Sequence, residues 1–196
     1  GLRHPATGEP LHFAAPPDFA TSPAAQLRAA CIDATSTTAW RELHGAADKH
    51  PGVYCDRLAD WHLLEAASEP AITDVLRTPA GPAPGQSPAG VYFKPWRRDL
   101  RGVTVAAASP RLVAGTPAPE RFTVREEGVA FELSLVEGYS TGLFLDQRDN
   151  RRRLRTGHVA GDFALYSHRD DRQPEVLNGF AYTCGFSVAA ALGGAG

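Results

Sequence analysis

Glu175 to Gly194 reads EVLNGFAYTCGFSVAAALGG, and the fold class turns on this stretch. Val176, Leu177 and the apolar residues after Asn178 form a short apolar run suited to a buried parallel strand. Tyr182, Thr183, Cys184 and Gly185 are small or turn-capable, so the strand is expected to end there. Phe186 to Leu192 reads as a helix, with Val188, Ala189 and Leu192 on a face able to pack back on the strand. Gly193 and Gly194 would stop it, because glycine enters the left-handed conformation at helix ends without a Cβ penalty. Strand, glycine turn and helix make the first half of a nucleotide-binding βαβ unit. The unpaired N–H groups at the helix start, carrying about half a positive charge, would face the ligand crevice. The dinucleotide pattern G-x-G-x-x-G is absent, and spacing alone fits any parallel strand–helix pair.

Upstream, Glu137 to Arg151 reads EGYSTGLFLDQRDNR. Ser140-Thr141-Gly142 is a turn, Leu143 to Leu145 are apolar, and Asp146 to Asn150 crowd polar groups into one place. Asp146 as N-cap and Asp149 at the third helical position would suit a helix start. Arg148, Arg151, Arg152, Arg153 and Arg155 form the densest basic run. On a helix they cannot all face one way, so the run is a solvated face, a phosphate-binding face, or part of each. Lys94, Trp96, Arg97, Arg98 and Arg101 make a second basic cluster with an aromatic able to stack on an unpaired base.

Residue identity goes further than spacing. NGFAYTCGFSVAAALGGA resembles the first motif of class I S-adenosylmethionine-dependent methyltransferases, in the branch that methylates carbon 5 of cytosine in large-subunit ribosomal RNA. EGYSTGLFLDQRDNR resembles the motif preceding the first Rossmann strand of the same branch. The resemblance implies S-adenosylmethionine as cofactor, walled by Tyr139 to Arg148 on one side and Phe180 to Gly185 on the other. It marks Thr141, Gln147, Arg148, Phe180, Tyr182, Thr183 and Gly185 as cofactor-binding. An amide such as Gln147 can serve both an amine and a carboxylate, and Arg148 can grip a carboxylate bidentately. RNA, expected to be ribosomal, is the implied partner, with Arg151, Arg152 and Arg153 against phosphates. The family's acidic residue after the second strand, its Asp-Pro-Pro type motif and its catalytic cysteines would all lie beyond Gly196. No catalytic residue is therefore assigned, and Cys184, in the cofactor turn, is read as a small buried residue rather than a nucleophile.

Between these motifs and the N-terminus the chain reads as a β-rich unit. Ser22 to Thr37 fits a helix, capped by Ser22 with Pro23 in the first turn, burying Leu27, Ala30, Cys31 and Ala34. Gly52 to Asp56 and Trp61 to Leu64 read as strands of a hairpin turning through Arg57 to Asp60. Pro51-Gly52 and Asp56-Arg57 resemble the central domain of the same family, while His50 and Tyr54-Cys55 depart from its more aliphatic pattern. Pro70 to Leu76 fits a short helix, Thr78 to Gly90 a proline- and glycine-rich loop, and Val91 to Arg101 a strand running into the second basic cluster. Phe122 to Val124 and Val129 to Val136 read as strands joined at Glu127-Gly128. In the latter, Val129, Phe131, Leu133 and Leu135 alternate with Ala130, Glu132 and Ser134, so one face is buried. HPATGEPLHFAAP, near the N-terminus, resembles the end of RluA-type pseudouridine synthases. That suggests a parent polypeptide fusing two RNA-modifying enzymes, joined near Ala20 to Ala24.

With 196 residues, 43% of them hydrophobic, there is material for one or two ordinary domains. A formal charge of −2 argues against a wholly basic nucleic-acid coat. No apolar run approaches the roughly 18 residues that cross a bilayer, so a soluble chain with no membrane partner is expected. The three scattered cysteines suit reduced thiols and a cytoplasmic location, and neither they nor the histidines show a metal-ligand spacing. The absence of methionine suggests a segment of a longer polypeptide.

The expected fold is α/β: a tail over 1–20, a central domain over 21–136 with a twisted, mainly antiparallel sheet, and the opening of a Rossmann-like domain over 137–196. The expected function is S-adenosylmethionine-dependent methylation of RNA, with an isolated chain of this length inactive. The alternatives are a non-catalytic RNA-binding module and a dinucleotide-dependent oxidoreductase fragment.

Overall fold

The computed structural model describes residues 27, 28, 30–77, 87–97, 99, 101–160, 163–166 and 173–196. The N-terminal tail, the cap of the first helix and most of the Thr78 to Gly90 loop lie outside the described residues.

A five-stranded sheet forms the centre. It runs β1 (Ala39–His44), β2 (Val53–Leu58), β3 (Trp61–Ala66), β4 (Gly90–Pro95) and β5 (Arg111–Gly115), in that spatial order. All neighbours pair antiparallel except β3 and β4, which run parallel. The β2–β3 turn is tighter than the sequence suggests. Leu58 pairs with Trp61, leaving only Ala59 and Asp60 in the loop, and Ala59 takes the left-handed φ of 55° that such turns require. A parallel neighbour needs a crossover. A 3-10 turn (Glu69–Ile72) and helix α1 (Thr73–Arg77) begin it, burying Ile72 and Val75 against Leu43, Val53, Leu64 and Phe93 on one sheet face.

Beyond the short helix α2 (Val105–Ala108) and β5, strands β6 (Phe122–Glu126) and β7 (Val129–Leu133) form a hairpin turning at Glu127-Gly128, as expected. Phe122, Val124, Leu133 and Leu135 pack on Ala39, Leu58, Leu63 and Tyr92 of the other sheet face. Helix α3 (Arg148–Thr156), the two-stranded β8 (His158–Ala160) and β9 (Phe163–Ala164), and helix α4 (Gly185–Leu192) complete the order. Gly193 lets α4 end close against α3, since a Cβ there would stand 2.3 Å from the Leu154 carbonyl oxygen.

Three local expectations are corrected. The strand expected through Val176 and Leu177 is not formed: residues 173–178 are irregular, Leu177 is 96% exposed and Phe180 is fully exposed. A parallel strand is stable only between neighbours that bury both its faces, and among the described residues none flanks it. The first helix stops at Cys31, and Leu27, Ala30, Cys31 and Ala34 are exposed. The Asp33 carboxylate accepts from Thr35 and Ser36, offering the chain a turn in place of further helix. In α4 the buried residues are Gly185, Ala189 and Ala190, whereas Val188 and Leu192 are exposed.

Candidate functional site

The two stretches that stand out in the sequence meet in space. The Thr183 hydroxyl donates to the Gly142 carbonyl at 2.6 Å, and the rings of Phe144 and Tyr182 lie 5.1 Å apart. The turn reaches Gly142 through left-handed φ values at Tyr182 (48°) and Cys184 (61°). Gly185 is buried, and a Cβ there would stand in ordinary contact with Arg151, Leu143 and Phe131. It therefore seats the start of α4 close to Arg151 of α3, Leu143 and Phe131 of β7. Cys184 is exposed rather than buried.

Residues 139–146 and 148 also form one wall of a cleft of about 870 Å³ whose opposite wall is the five-stranded sheet. Of the expected cofactor residues, Thr141, Arg148 and Tyr182 line it; Gln147, Phe180, Thr183 and Gly185 do not. Gln147 occupies the N-cap position of α3, while Asp146 sits one residue earlier in a 3-10 turn, so Asp146 is not the cap. The Gln147 amide donates to Asp146 and accepts from Asn150.

The sheet side of the cleft carries four charged side chains that pattern reading misses as a group: Arg41, Asp56, Glu65 and Lys94. Strand register makes them neighbours, because Arg41 stands opposite Asp56 and Glu65 opposite Lys94. Arg41 donates to the Asp56 carboxylate through Nε at 2.7 Å and Nη2 at 2.9 Å, and Nη2 lies 3.5 Å from Glu65. Lys94 pairs with Glu65, donates to the Tyr139 carbonyl at 3.4 Å and stands 4.4 Å from the Tyr139 ring centroid. Burial pushes the Asp56 carboxyl above its usual range, and the hydrogen bond from Arg41 opposes that rise. Lys94, grouped in sequence with the exposed Trp96 and Arg97, is thus a buried and paired lysine rather than a free phosphate contact.

The arginine run divides. Arg151 is 4% exposed and donates through Nε and Nη2 to the two Glu126 carboxylate oxygens, both at 2.7 Å. It is withdrawn from any phosphate, which corrects its expected RNA role. Arg155 pairs with Glu127. Arg152 and Arg153 are half-buried, and among the described residues their side chains bond locally, to Asp149 at 3.4 Å and Asn150 at 3.3 Å.

A second polar cluster lies on the other sheet face. Glu42, Cys55 and His62 bring an oxygen, a sulfur and a nitrogen within 4.8 Å of one another, although their sequence separation hides this. Arg57 Nε stands 3.1 Å from Glu42 Oε1, and His62 Nε2 lies 3.1 Å from Glu42 Oε2. Burial raises the Glu42 pKa to about 7 and lowers that of His62 to about 4. Burial also pushes the Cys55 thiol well up. Glu42 Oε2 and His62 Nε2, though close, are not hydrogen-bonded to each other, and a guanidinium beside the carboxylate and a thiol held protonated disfavour a metal centre there.

Residues 103–196 match the family model of S-adenosylmethionine-dependent methyltransferases. The ribosomal RNA large subunit methyltransferase of Deinococcus radiodurans is 34% identical over 167 residues, covering 81% of this chain and 36% of that protein. Ribosomal RNA large subunit methyltransferase I of Cronobacter sakazakii is 31% identical over 163 residues, covering 79% and 36%. The chain thus spans a little over a third of the length of these relatives. A SAM-dependent methyltransferase structure from Streptococcus mutans, described as a candidate enzyme, superposes with a TM-score of 0.61 at 29% identity, covering 87% of this chain and 40% of that one. The structure of SMU.776, described as a candidate methyltransferase and complexed with SAH, matches with the same TM-score and identity, covering 89% and 40%. These matches leave the oxidoreductase alternative without support. In sequence and in fold the chain is similar to S-adenosylmethionine-dependent methyltransferases.

Proposed function

We propose that the protein to which this chain belongs methylates ribosomal RNA from S-adenosylmethionine, with cytosine carbon 5 as the acceptor atom. One observation carries the reading. The two family-like motifs, 41 residues apart along the chain, are fastened by the Thr183–Gly142 hydrogen bond beside a ligand-sized cleft. Thr141, Arg148 and Tyr182 border that cleft, and Gln147, next in sequence to the lining residues Asp146 and Arg148, carries an amide suited to the cofactor's amino-acid group. The α4 N-terminus adds unpaired N–H donors suited to a carboxylate. Residues 21–136 act as the sheet unit that receives RNA, and residues 137–196 open the cofactor unit. The N-terminal likeness to a pseudouridine synthase adds the reading of a fusion of two RNA-modifying enzymes.

The full reading frame carrying this segment, incubated with tritiated S-adenosylmethionine and large-subunit rRNA, should label cytosine at carbon 5. Thr183→Val should weaken S-adenosylhomocysteine binding by about tenfold in calorimetry, the scale of one lost hydrogen bond. Label on another base would overturn the acceptor assignment. Unchanged cofactor affinity in Thr183→Val and Gln147→Ala together would overturn the placement of the pocket.

A further inference from the structure

We infer that the sheet side of the cleft is a reading surface for one unstacked nucleobase, with Arg41 as its donor, the Glu65 and Asp56 carboxylates as acceptors and Trp96 as the stacking face. The inference rests on the methyltransferase reading and adds to it the place of the acceptor base. Four features support it.

The first is charge. Arg41 and Lys94 are balanced by Asp56 and Glu65, so this wall offers no net charge. A phosphate placed there would meet two carboxylates, whereas a neutral heterocycle would meet donors and acceptors side by side. Second, the hydrogen-bonding capacity is not used up. Asp56 takes Nε and Nη2 of Arg41, and among the described residues Nη1 has no acceptor. Third, the shape fits. The cleft falls within the roughly 300–1,000 Å³ of small-ligand sites, and Trp96, 44% exposed and tilted against Tyr54 at 5.5 Å, presents an open ring at its edge. An exposed tryptophan beside paired charges is the arrangement that stacks and then reads a single-stranded base. Fourth, the position suits transfer. Thr141, Arg148 and Tyr182 face this wall across the cleft, so donor and acceptor could share one opening.

Tryptophan fluorescence tests this on the whole chain, since Trp40 and Trp96 both line the cleft. The probes are a cytosine-containing RNA hexamer, the same hexamer abasic at every position, and S-adenosylhomocysteine. The intact hexamer should quench the emission and bind at least tenfold tighter than the abasic one. Arg41→Lys, which keeps the charge and loses the fork, should weaken the intact hexamer about tenfold and leave the abasic one unchanged. Trp96→Ala, at an exposed site, should do the same when binding is followed with a fluorophore on the hexamer. Equal binding of the two hexamers, absence of hexamer binding, or indifference to both substitutions would overturn the inference. Displacement of the hexamer by S-adenosylhomocysteine, with its affinity reduced by Arg41→Lys, would also overturn it by giving this wall to the cofactor. If base binding persists while the full reading frame transfers no methyl group, the methyltransferase reading fails and the base site stands.

Discussion

Arg151 of α3 and Glu126 of β6 form a two-pronged ion pair, with both bonds at 2.7 Å and both side chains about 5% exposed. The pair ties helix α3 to the hairpin that packs on one face of the five-stranded sheet. Phe131 and Phe186 flank the guanidinium, each with its ring centroid 5.9 Å away, so water has little access to either charge.

Glu126→Ala leaves the Arg151 charge buried without its partner and should cost about 3–5 kcal/mol in urea denaturation. Arg152→Ala, at a half-exposed side chain with one long local contact, should cost less than about 1 kcal/mol. A Glu126→Ala loss no larger than the Arg152→Ala loss would mean that the pair does not hold α3 in place.

If the chain binds RNA as proposed, the affinity should depend on salt through arginines that include Arg152, Arg153, Arg97 and Arg101, which are exposed or paired locally among the described residues. Replacing Arg152 and Arg153 together by alanine should lower the slope of log K against log salt by at most about 1.4, at roughly 0.7 per single-strand phosphate contact. A slope indifferent to the double change assigns both to a solvated face.

Glu42 sets a pH window. Its folded pKa is raised to about 7 from an ordinary 4.5, so between those values the unfolded chain has released a proton that the folded chain retains. Ionisation then favours unfolding, and this contribution falls as pH rises from 4.5 to about 7. His62, lowered from 6.5 to about 4, has the opposite sign, and its contribution grows over pH 4 to 6.5. The two oppose each other across the shared range. Glu42→Gln should therefore gain stability relative to the parent as pH rises from 4.5 to about 7, with a constant difference above. Melting curves at half-unit pH steps would show it, and a pH-independent difference would refute it.

Gly193→Ala should destabilise by about 1–3 kcal/mol, because the new methyl group would meet the Leu154 carbonyl, a backbone atom unable to swing aside. The same change at Gly179, where a Cβ would meet nothing within 4 Å, should be nearly neutral. Thermal melts of the two variants make the comparison internal.

The β6–β7 hairpin and α4 were legible because alternation, a Glu-Gly turn and a Gly-Gly stop are local signals. Strands β1 and β5 were not. WRELH mixes charge into both faces, and RLVAG is an exposed edge strand, so neither carries the apolar alternation that announces a strand. Leu177 reads as strand because hydrophobicity reports what a residue would bury, not whether neighbouring strands are there to bury it. The motif-bearing wall of the cleft was visible in sequence, since residue identity marks it. The opposite wall was hidden, because Arg41–Asp56 and Glu65–Lys94 become neighbours only through strand register. Arg151 shows the same limit: five arginines in one run look alike until packing assigns one to an interior carboxylate.

Strand β5 forms one margin of the five-stranded sheet, most of its residues are exposed, and Arg111 pairs across to Glu69. An unpaired strand margin is a template on which a second chain can extend the sheet, and a charge along it is what discourages that growth. Among the described residues no strand covers this margin, and Arg111 is a charge placed along it. Neutralising it should leave the melting temperature almost unchanged while lowering the concentration at which the protein begins to form oligomers rich in intermolecular β-structure.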